Sequence, residues 1–128
     1  MVMKKLTIYA FLIFTGVVCA KDREVTSLEI LKIGIAYEGR SEIEKKACSY
    51  FKPTKKQLIY FFENAIEFDE GGEIAHEYYS PCIATGKVIF ADGIEGRWTV
   101  QSSGYGYGIF NNKELNFFLK DNEWNDDY

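Results

Sequence analysis

The second half of the chain is a succession of short apolar and alternating segments separated by turn signals. Asp92-Gly93 and Asn111-Asn112 are residue pairs that favour tight turns, and each follows one of these segments. Strands joined by tight turns pair with their neighbours in the antiparallel sense. The pattern therefore predicts an antiparallel meander of roughly four strands, at Gly86–Phe90, Arg97–Gln101, Tyr105–Phe110 and Leu115–Leu119.

A helix is predicted before the meander, over Lys55–Phe68. Pro53 ends the preceding segment, and Thr54 with Gln57 has the spacing of a capping box. The predicted fold class is α+β, with one main helix packed on the sheet. The segment Leu28–Tyr37 fits either a strand or a helix, and the pattern leaves both open. Apolar residues spaced three and four positions apart form one face of the main helix: Leu58, Phe61, Phe62, Ala65 and Ile66.

The first 20 residues have the order of a secretory signal peptide. Two lysines are followed by an uncharged apolar run, Leu6–Val18, and then by Cys19 and Ala20. We expect cleavage after Ala20, which leaves residues 21–128 as a single compact domain in the periplasm or outside the cell. The apolar run is shorter than a membrane-spanning helix requires, so no membrane span is expected after cleavage. An uncleaved anchor and a lipid-modified Cys19 are the alternatives.

Cleavage after Ala20 would leave two cysteines, Cys48 and Cys82. Two cysteines in an exported protein most simply form a disulfide. Because Cys48 precedes the predicted helix and Cys82 precedes the first predicted strand, the bond would connect the helical half of the chain to the sheet. Two buried free thiols are the alternative. A metal site is disfavoured, since there is no Cys-x-x-Cys pair and His76 is the only histidine.

Motifs for catalysis are missing from the sequence. It contains no Gly-x-Ser-x-Gly, His-Glu-x-x-His, Walker or Gly-x-Gly-x-x-Gly pattern. We therefore expect a protein that is not an enzyme and that binds no cofactor and no metal. A small carboxylate-based hydrolase is the alternative, because two acidic side chains at a suitable separation would suffice. His76 has acidic neighbours and is interpreted as a solvated or locally paired residue.

Acidic residues concentrate at the end of the predicted helix, at Glu67, Asp69, Glu70 and Glu73. Loss of the two leader lysines would also lower the formal net charge from −4 to −6. An acidic patch attracts a basic protein and speeds its association, so these four residues are candidate partner-binding residues. A solvated surface that only serves solubility is the alternative. Nucleic acid is disfavoured as a partner, because the chain is acidic and has no basic stripe.

The third predicted strand alternates tyrosine and glycine. Tyr105 and Tyr107 would point to one face of the sheet, and Gly104, Gly106 and Gly108 to the other. A glycine face lets another element approach the backbone closely. Tyrosine gives a large contact area at low entropy cost, so Tyr105 and Tyr107 are also candidate partner-binding residues. Core filling or an ordinary pairing of these side chains is the alternative.

The order of these features resembles the small exported bacterial immunity proteins of the colicin M immunity type. The shared features are a lysine-led apolar leader, two cysteines such as Cys48 and Cys82, a helix before a small antiparallel sheet, and an acidic, aromatic end. The resemblance implies an extracytoplasmic inhibitor that binds one toxin tightly. It lies in the architecture, and no functional residue carries over from it.

These patterns together predict an exported protein that blocks a toxin or a cell-wall-degrading enzyme in the periplasm. The expected partner is a protein, such as a basic toxin or a lysozyme-like enzyme. An accessory or structural subunit of an exported assembly, for secretion, a pilus or conjugation, is the alternative from another class. A long unpaired sheet edge would favour that alternative.

Overall fold

A computed structural model describes residues 23–70, 72–122 and 124. The predicted leader, residues 1–20, and the last four residues of the tail lie outside this part. Within it, the chain forms three helices, α1 Glu42–Cys48, α2 Lys55–Asn64 and α3 Gly72–Glu77. The strands are β1 Val25–Ala36, β2 Ile66–Phe68, β3 Cys82–Phe90, β4 Glu95–Gln101, β5 Tyr105–Phe110 and β6 Lys113–Phe118.

The six described strands form one sheet in the order β1-β3-β4-β5-β6-β2, with every neighbouring pair antiparallel. The predicted α+β class is confirmed, and the predicted meander corresponds to β3 to β6. The predicted number of four strands is wrong, because β1 and β2 extend the meander at its two edges. A single main helix is also too few, since α1 and α3 accompany α2.

The segment 28–37, which the sequence left open, is a strand. β1 pairs with β3 from Val25 opposite Phe90 to Ala36 opposite Cys82, with irregular register on the way. Without β1, the backbone N–H and C=O groups along the edge of β3 would have no partner in the sheet. Pairing along the whole of β3 therefore outweighs the helical periodicity of this segment.

Helix α2 is shorter than predicted. Its capping box is present, because the Thr54 hydroxyl accepts from Gln57 N–H and Gln57 Oε1 accepts from Thr54 N–H. The helix ends before Ala65, which is already extended. Residues Ile66–Phe68, predicted as its last turn, form β2 and pair with the second half of β6. Ile66 is consequently 68% exposed instead of buried with the helix stripe.

One face of the sheet, called the inner face, packs against α2. Phe61 and Phe62 of the helix contact Phe117 of β6, and Phe62 also contacts Trp98 of β4. Gly106 of β5 lies beside Phe117, and a Cβ at Gly106 would meet the ring of Phe61 at 3.2 Å. The close approach predicted for the glycine face is thus confirmed. The core formed here is rich in aromatic residues, and Phe51 and Trp124, from outside the helices and strands, also belong to it.

The predicted disulfide between Cys48 and Cys82 is present, with 4.8 Å between the two Cα atoms. Cys48 is the last residue of α1, and Cys82 is the first residue of β3. The bond therefore fastens α1 to the end of the sheet, as the position of the two cysteines in the sequence indicated.

Both predicted hairpin turns are also present. Asn111 and Asn112 have φ angles of 51° and 69°, and Gly93 has a φ angle of 92°. These left-handed conformations match the twist of the flanking strands, and asparagine and glycine adopt them at low cost. Asp92 supports its turn by accepting from the Ile94 N–H at 3.0 Å.

Candidate binding site on the outer face of the sheet

The second face of the sheet, called the outer face, points away from α2. The strand register places one residue from each of five neighbouring strands in a single line across it. Directly opposite residues in antiparallel strands point the same way and lie about 5 Å apart, so this line is continuous. Its members, all exposed, are called the charged row: Glu29, Lys87, Arg97, Ile109 and Glu114.

Next to the charged row lies a group of tyrosines. Tyr105 and Tyr107 point to the outer face from β5, with 5.6 Å between their ring centroids. Tyr37, just after β1, and Tyr79, after α3, lie beside them. The rings of Tyr37 and Tyr79 are stacked, with centroids 6.1 Å apart and 14° between the planes. These four residues are called the tyrosine cluster.

Gln101 orients the tyrosine cluster through hydrogen bonds. The backbone N–H of Ser80 donates to Gln101 Oε1 at 2.7 Å, so the amide Nε2 is left to donate to the Tyr37 hydroxyl at 3.0 Å. The Tyr37 and Tyr107 hydroxyl oxygens are 2.7 Å apart. Either hydroxyl can donate in this bond, since the Tyr37 oxygen that accepts from Gln101 keeps a second lone pair. In both directions the Tyr107 oxygen retains at least one free lone pair.

Tyr105 lies deeper than Tyr107 and is only 5% exposed. Its hydroxyl donates to Asn116 Oδ1 at 2.5 Å, and Asn116 Nδ2 donates to the backbone carbonyl of Asp69 at 3.0 Å. Burial raises the pKa of the Tyr105 phenol to about 12. Burial also raises the pKa of Tyr37 far above its ordinary value, and the hydrogen bond to Tyr107 adds to this effect. Tyr37 and Tyr105 are therefore held in their neutral, protonated form.

Two hollows open on the outer face. The first, of about 460 Å³, is lined by the tyrosine cluster, by Ala75 of α3, and by Gln101 and Glu114. Because Glu114 also ends the charged row, the first hollow is continuous with that row. The second hollow, of about 340 Å³, lies between β1, β3 and β4 and is lined mainly by Ser27, Glu29, Lys87, Ile89, Glu95 and Arg97.

Two cations of the charged row lie side by side. Lys87 and Arg97 are directly opposite each other in the β3–β4 register. Within the described part of the chain, neither of them forms an ion pair. Their charges are therefore available to the carboxylates of a partner, while Glu29 and Glu114 offer the opposite charge at the two ends of the row.

The residues after α3 close one side of the first hollow. The ring of Tyr78 packs against Phe118 at a tilt of 41°, with 4.5 Å between the centroids, and the Ser103 hydroxyl donates to the Tyr78 carbonyl. The backbone N–H of Tyr37 donates to the Pro81 carbonyl at 3.2 Å. The disulfide adjoins this contact in the chain, so the covalent link also holds the corner on which the tyrosine cluster is built.

The four predicted acidic residues are exposed, but they are not one free patch. Glu67 forms an ion pair with Arg23 at 2.7 Å, and the Asp69 carboxylate lies 3.8 Å from the lysine that begins β6. Glu70 and Glu73 form no ion pair with any described residue. Glu67 lies in β2, Asp69 and Glu70 follow it, and Glu73 belongs to α3, whereas the sequence placed all four at the end of the main helix. The free negative charge is thus smaller than the sequence indicated.

The structure surrounds Tyr105 and Tyr107 with residues that the sequence did not single out. Tyr37 and Tyr107 are 70 positions apart, and they become neighbours only through the pairings of β1 with β3, β3 with β4 and β4 with β5. The sequence could have indicated Glu114, because it lies two positions before Asn116. In a strand, the side chains of these two residues point to the same face. Contact of Tyr105, Tyr107 and the acidic residues with a partner stays a prediction.

His76, the sequence's only histidine, is exposed near the end of α3. In the described ranges, no three His, Cys, Asp or Glu side chains are grouped so that they could hold a metal ion. The chemistry that the outer face offers consists of aromatic rings, oriented hydroxyl groups and charges. These are the means of non-covalent recognition.

Comparison of the chain with protein-family models, with characterised proteins and with solved structures finds no match. Over the ranges that the structure covers, every helix falls short of the length and apolarity needed to cross a membrane. The geometry of the outer face is therefore the main guide to function.

Proposed function

We infer that this chain is an exported binding protein without enzymatic activity, an inhibitor or immunity protein that blocks a toxin or a cell-wall-degrading enzyme in the periplasm. One observation carries this proposal. The outer face of the sheet exposes a continuous charged row beside a tyrosine cluster in which hydrogen bonds already link the Tyr37 and Tyr107 hydroxyls to Gln101. Such an arrangement binds a partner without first losing side-chain freedom.

The composition of this surface suits a protein partner. Tyrosine and arginine are enriched at protein interfaces, where they fill pockets and dominate the binding energy. Ile109 is 55% exposed between Arg97 and Glu114, so the row has an apolar centre with charges on either side. Complementary charges at such a surface set the orientation and the association rate of the partner.

The disulfide supports the proposal that the target lies outside the cytoplasm. The Cys48–Cys82 disulfide fits a protein that folds in an oxidising compartment. Cleavage after Ala20 and residence in the periplasm belong to the proposal. A basic lysozyme or toxin would be attracted by the net negative charge of the chain.

The test is inhibition of defined enzymes by the protein purified after export of the full-length chain. We would assay a panel of peptidoglycan-cleaving enzymes, including basic lysozymes, together with any toxin encoded beside the gene. We expect one of them to be blocked at a 1:1 ratio. No inhibition across the panel would overturn the proposal.

Matched variants locate the interface. Tyr107→Ala and Ile109→Asp on the outer face should weaken inhibition by at least about tenfold, as for central contact residues. Tyr60→Ala on α2 and Ile43→Asp on α1 make the same changes at side chains elsewhere that are at least as exposed, and should have no effect. Equal losses in both sets would place the interface away from the outer face.

A second candidate function, a subunit of an exported assembly, is favoured by one feature. β1 is a 12-residue edge strand, and its Leu31 is 50% exposed. The register of β1 is interrupted beside Leu31 and again before Ile35, and such bulges hinder pairing with another edge. A stable oligomer in light scattering, lost on Leu31→Asp, would favour this function over the inhibitor.

A further inference from the structure

The lining of the first hollow has one chemical character. It presents four phenol rings, the amide of Gln101 and the carboxylate of Glu114, and no basic side chain lines it. Phenol faces carry negative potential, and so does a carboxylate. The hollow is therefore complementary to a cation.

The ring arrangement narrows the shape of that cation. Tyr37 and Tyr79 are nearly parallel, at 14°, while Tyr105 and Tyr107 lie 31° apart beside them. Flat ring faces are contacted best by a flat cation. The guanidinium group is planar, stacks on aromatic faces and donates several hydrogen bonds in a fork, whereas an ammonium group is a strongly hydrated point charge.

Acceptors are present at the edge of the hollow. The Tyr107 oxygen keeps a free lone pair whichever hydroxyl donates in its bond with Tyr37. Glu114 is exposed, and one of its two carboxylate oxygens lies 3.4 Å from Asn116 Nδ2, which leaves the other oxygen free of that bond.

The chain's own Arg40 already contacts one ring of the cluster. Its guanidinium lies over Tyr79, 5.3 Å from the ring centroid, is bonded to the Tyr79 hydroxyl and pairs with Glu44 at 3.4 Å. Arg40 does not line the hollow, so the hollow itself stays open to a second guanidinium beside Tyr107 and Glu114.

We propose that the first hollow receives an arginine side chain of the partner protein, stacked on the tyrosine cluster and paired with Glu114. The inference rests on the proposed function and deepens it, since it names the group that the partner inserts. It also gives an acidic chain a specific means of recognising a basic protein.

Short peptides test the proposal without knowledge of the partner. The exported, processed protein is titrated with acetyl-Gly-Arg-Gly-amide at low salt and followed by backbone amide shifts. We expect a dissociation constant on the order of 10 mM, with shifts centred on Gln101, Tyr107 and Glu114. The lysine peptide should bind at least about threefold more weakly. The isosteric citrulline peptide, which lacks the charge, should not bind.

Three results from the ligand comparison would each overturn the proposal. The citrulline peptide or the lysine peptide could bind as tightly as the arginine peptide. Free arginine could also bind more tightly than the arginine peptide, which would indicate a small-molecule site. Glu114→Gln should weaken arginine binding by at least about threefold, and the control Glu42→Gln on α1 should not change it. Tyr107→Phe keeps the ring and the fold and should weaken binding by about twofold through loss of the hydroxyl acceptor. Unchanged binding by both site variants would also overturn the proposal.

The inference and the proposed function can fail separately. Arginine-peptide binding without inhibition of any toxin or hydrolase would leave this inference standing and count against the function. Inhibition that survives Glu114→Gln unchanged, together with no arginine-peptide binding, would overturn the inference alone.

Discussion

Gln101 shows how one buried side chain can organise a whole surface. It accepts from the Ser80 backbone and donates to Tyr37, and Tyr37 in turn reaches Tyr107. The Ser80 N–H fixes which end of the Gln101 amide accepts, so the other end donates to Tyr37, and the Tyr37–Tyr107 bond extends the network to β5. A network of this kind keeps the phenol rings in place before any partner arrives.

The raised tyrosine pKa values predict loss of stability in alkali. The pKa of a tyrosine in the unfolded chain is about 10, whereas that of Tyr105 in the fold is about 12. Between these values the unfolded chain loses a proton that the fold retains, so stability falls as pH rises above 10 and is unaffected below it. The midpoint of urea unfolding should therefore drop more steeply from pH 10 to 11 than from pH 8 to 9.

A single substitution checks the source of this effect. Tyr105→Phe removes the hydrogen bond to Asn116 and should lower the midpoint equally at pH 8 and pH 9. It should also flatten the fall between pH 10 and 11. An unchanged slope in that range would show that Tyr105 does not carry the alkaline loss.

Gly106 is the residue where the inner face is most tightly packed against α2. A Cβ there would lie 3.1 Å from Val100 and 3.2 Å from Phe61. Gly106→Val should therefore cost about 1–3 kcal/mol of unfolding free energy, measured by urea denaturation. Ile109→Val on the same strand points to the outer face and should change stability by less than about 0.5 kcal/mol. Similar values for both variants would contradict the packing argument.

At the scale of elements, local patterns predicted most of the fold. The capping box began α2 at the predicted residue, and the Asn111-Asn112 turn set the register of β5 and β6. Both depend on neighbours in the sequence. β2 could not be predicted in this way, because Ile66 continues the apolar stripe of α2 and only the free edge of β6 makes it a strand.

The candidate site also combines features that depend on sequence neighbours with features that depend on distant strand pairing. Tyr105 and Tyr107 were recognisable, because alternation within one strand puts them on one face. Tyr37 and Gln101 were not, since their nearness depends on pairing across three strands. The acidic residues were identified as a group. The sequence did not indicate that Arg23, 44 positions from Glu67, forms an ion pair with it and so neutralises one charge of the group.

The disulfide is the strongest link between elements, because it closes α1 onto β3 over 34 positions. Cys48→Ala with Cys82→Ala should lower the unfolding free energy by about 3–4 kcal/mol, because the unfolded chain gains conformational entropy once the bond no longer restrains it. Urea unfolding of the double variant measures this loss. The wild-type protein under strong reductant should match the variant, and a difference below about 1 kcal/mol would show that the other contacts of α1 suffice.

At the scale of the whole molecule, the sheet is covered on one side and open on the other. The inner face buries the aromatic core under α2, so the outer face contributes little to that core and is free to carry polar and charged groups. α3 and the disulfide corner hold the tyrosine cluster at one end of this open face. The protein thus separates the residues that hold it together from those proposed to meet a partner.

Charge at the same scale should govern how fast a basic partner arrives. Glu70 and Glu73 are exposed and have no described ionic partner, so their field reaches solvent. Glu70→Lys with Glu73→Lys should slow association with an inhibited basic enzyme by about 3–10-fold at low salt, and by little at 0.5 M salt, where screening is strong. Stopped-flow fluorescence at several ionic strengths measures the rate.

The structure also decides which acidic residues this experiment can use. Glu67→Lys would set a second cation against Arg23, 2.7 Å from the present carboxylate, and would damage the fold rather than the encounter. The matched control is therefore Glu24→Lys with Asp121→Lys, two exposed residues that form no ion pair with any described residue. It shifts the net charge equally, but the changed residues lie before β1 and after β6. If both double variants slow association alike, only net charge matters. If neither double variant slows association, the negative charge at these positions does not steer the partner, and the tyrosine cluster with Glu114 must account for binding.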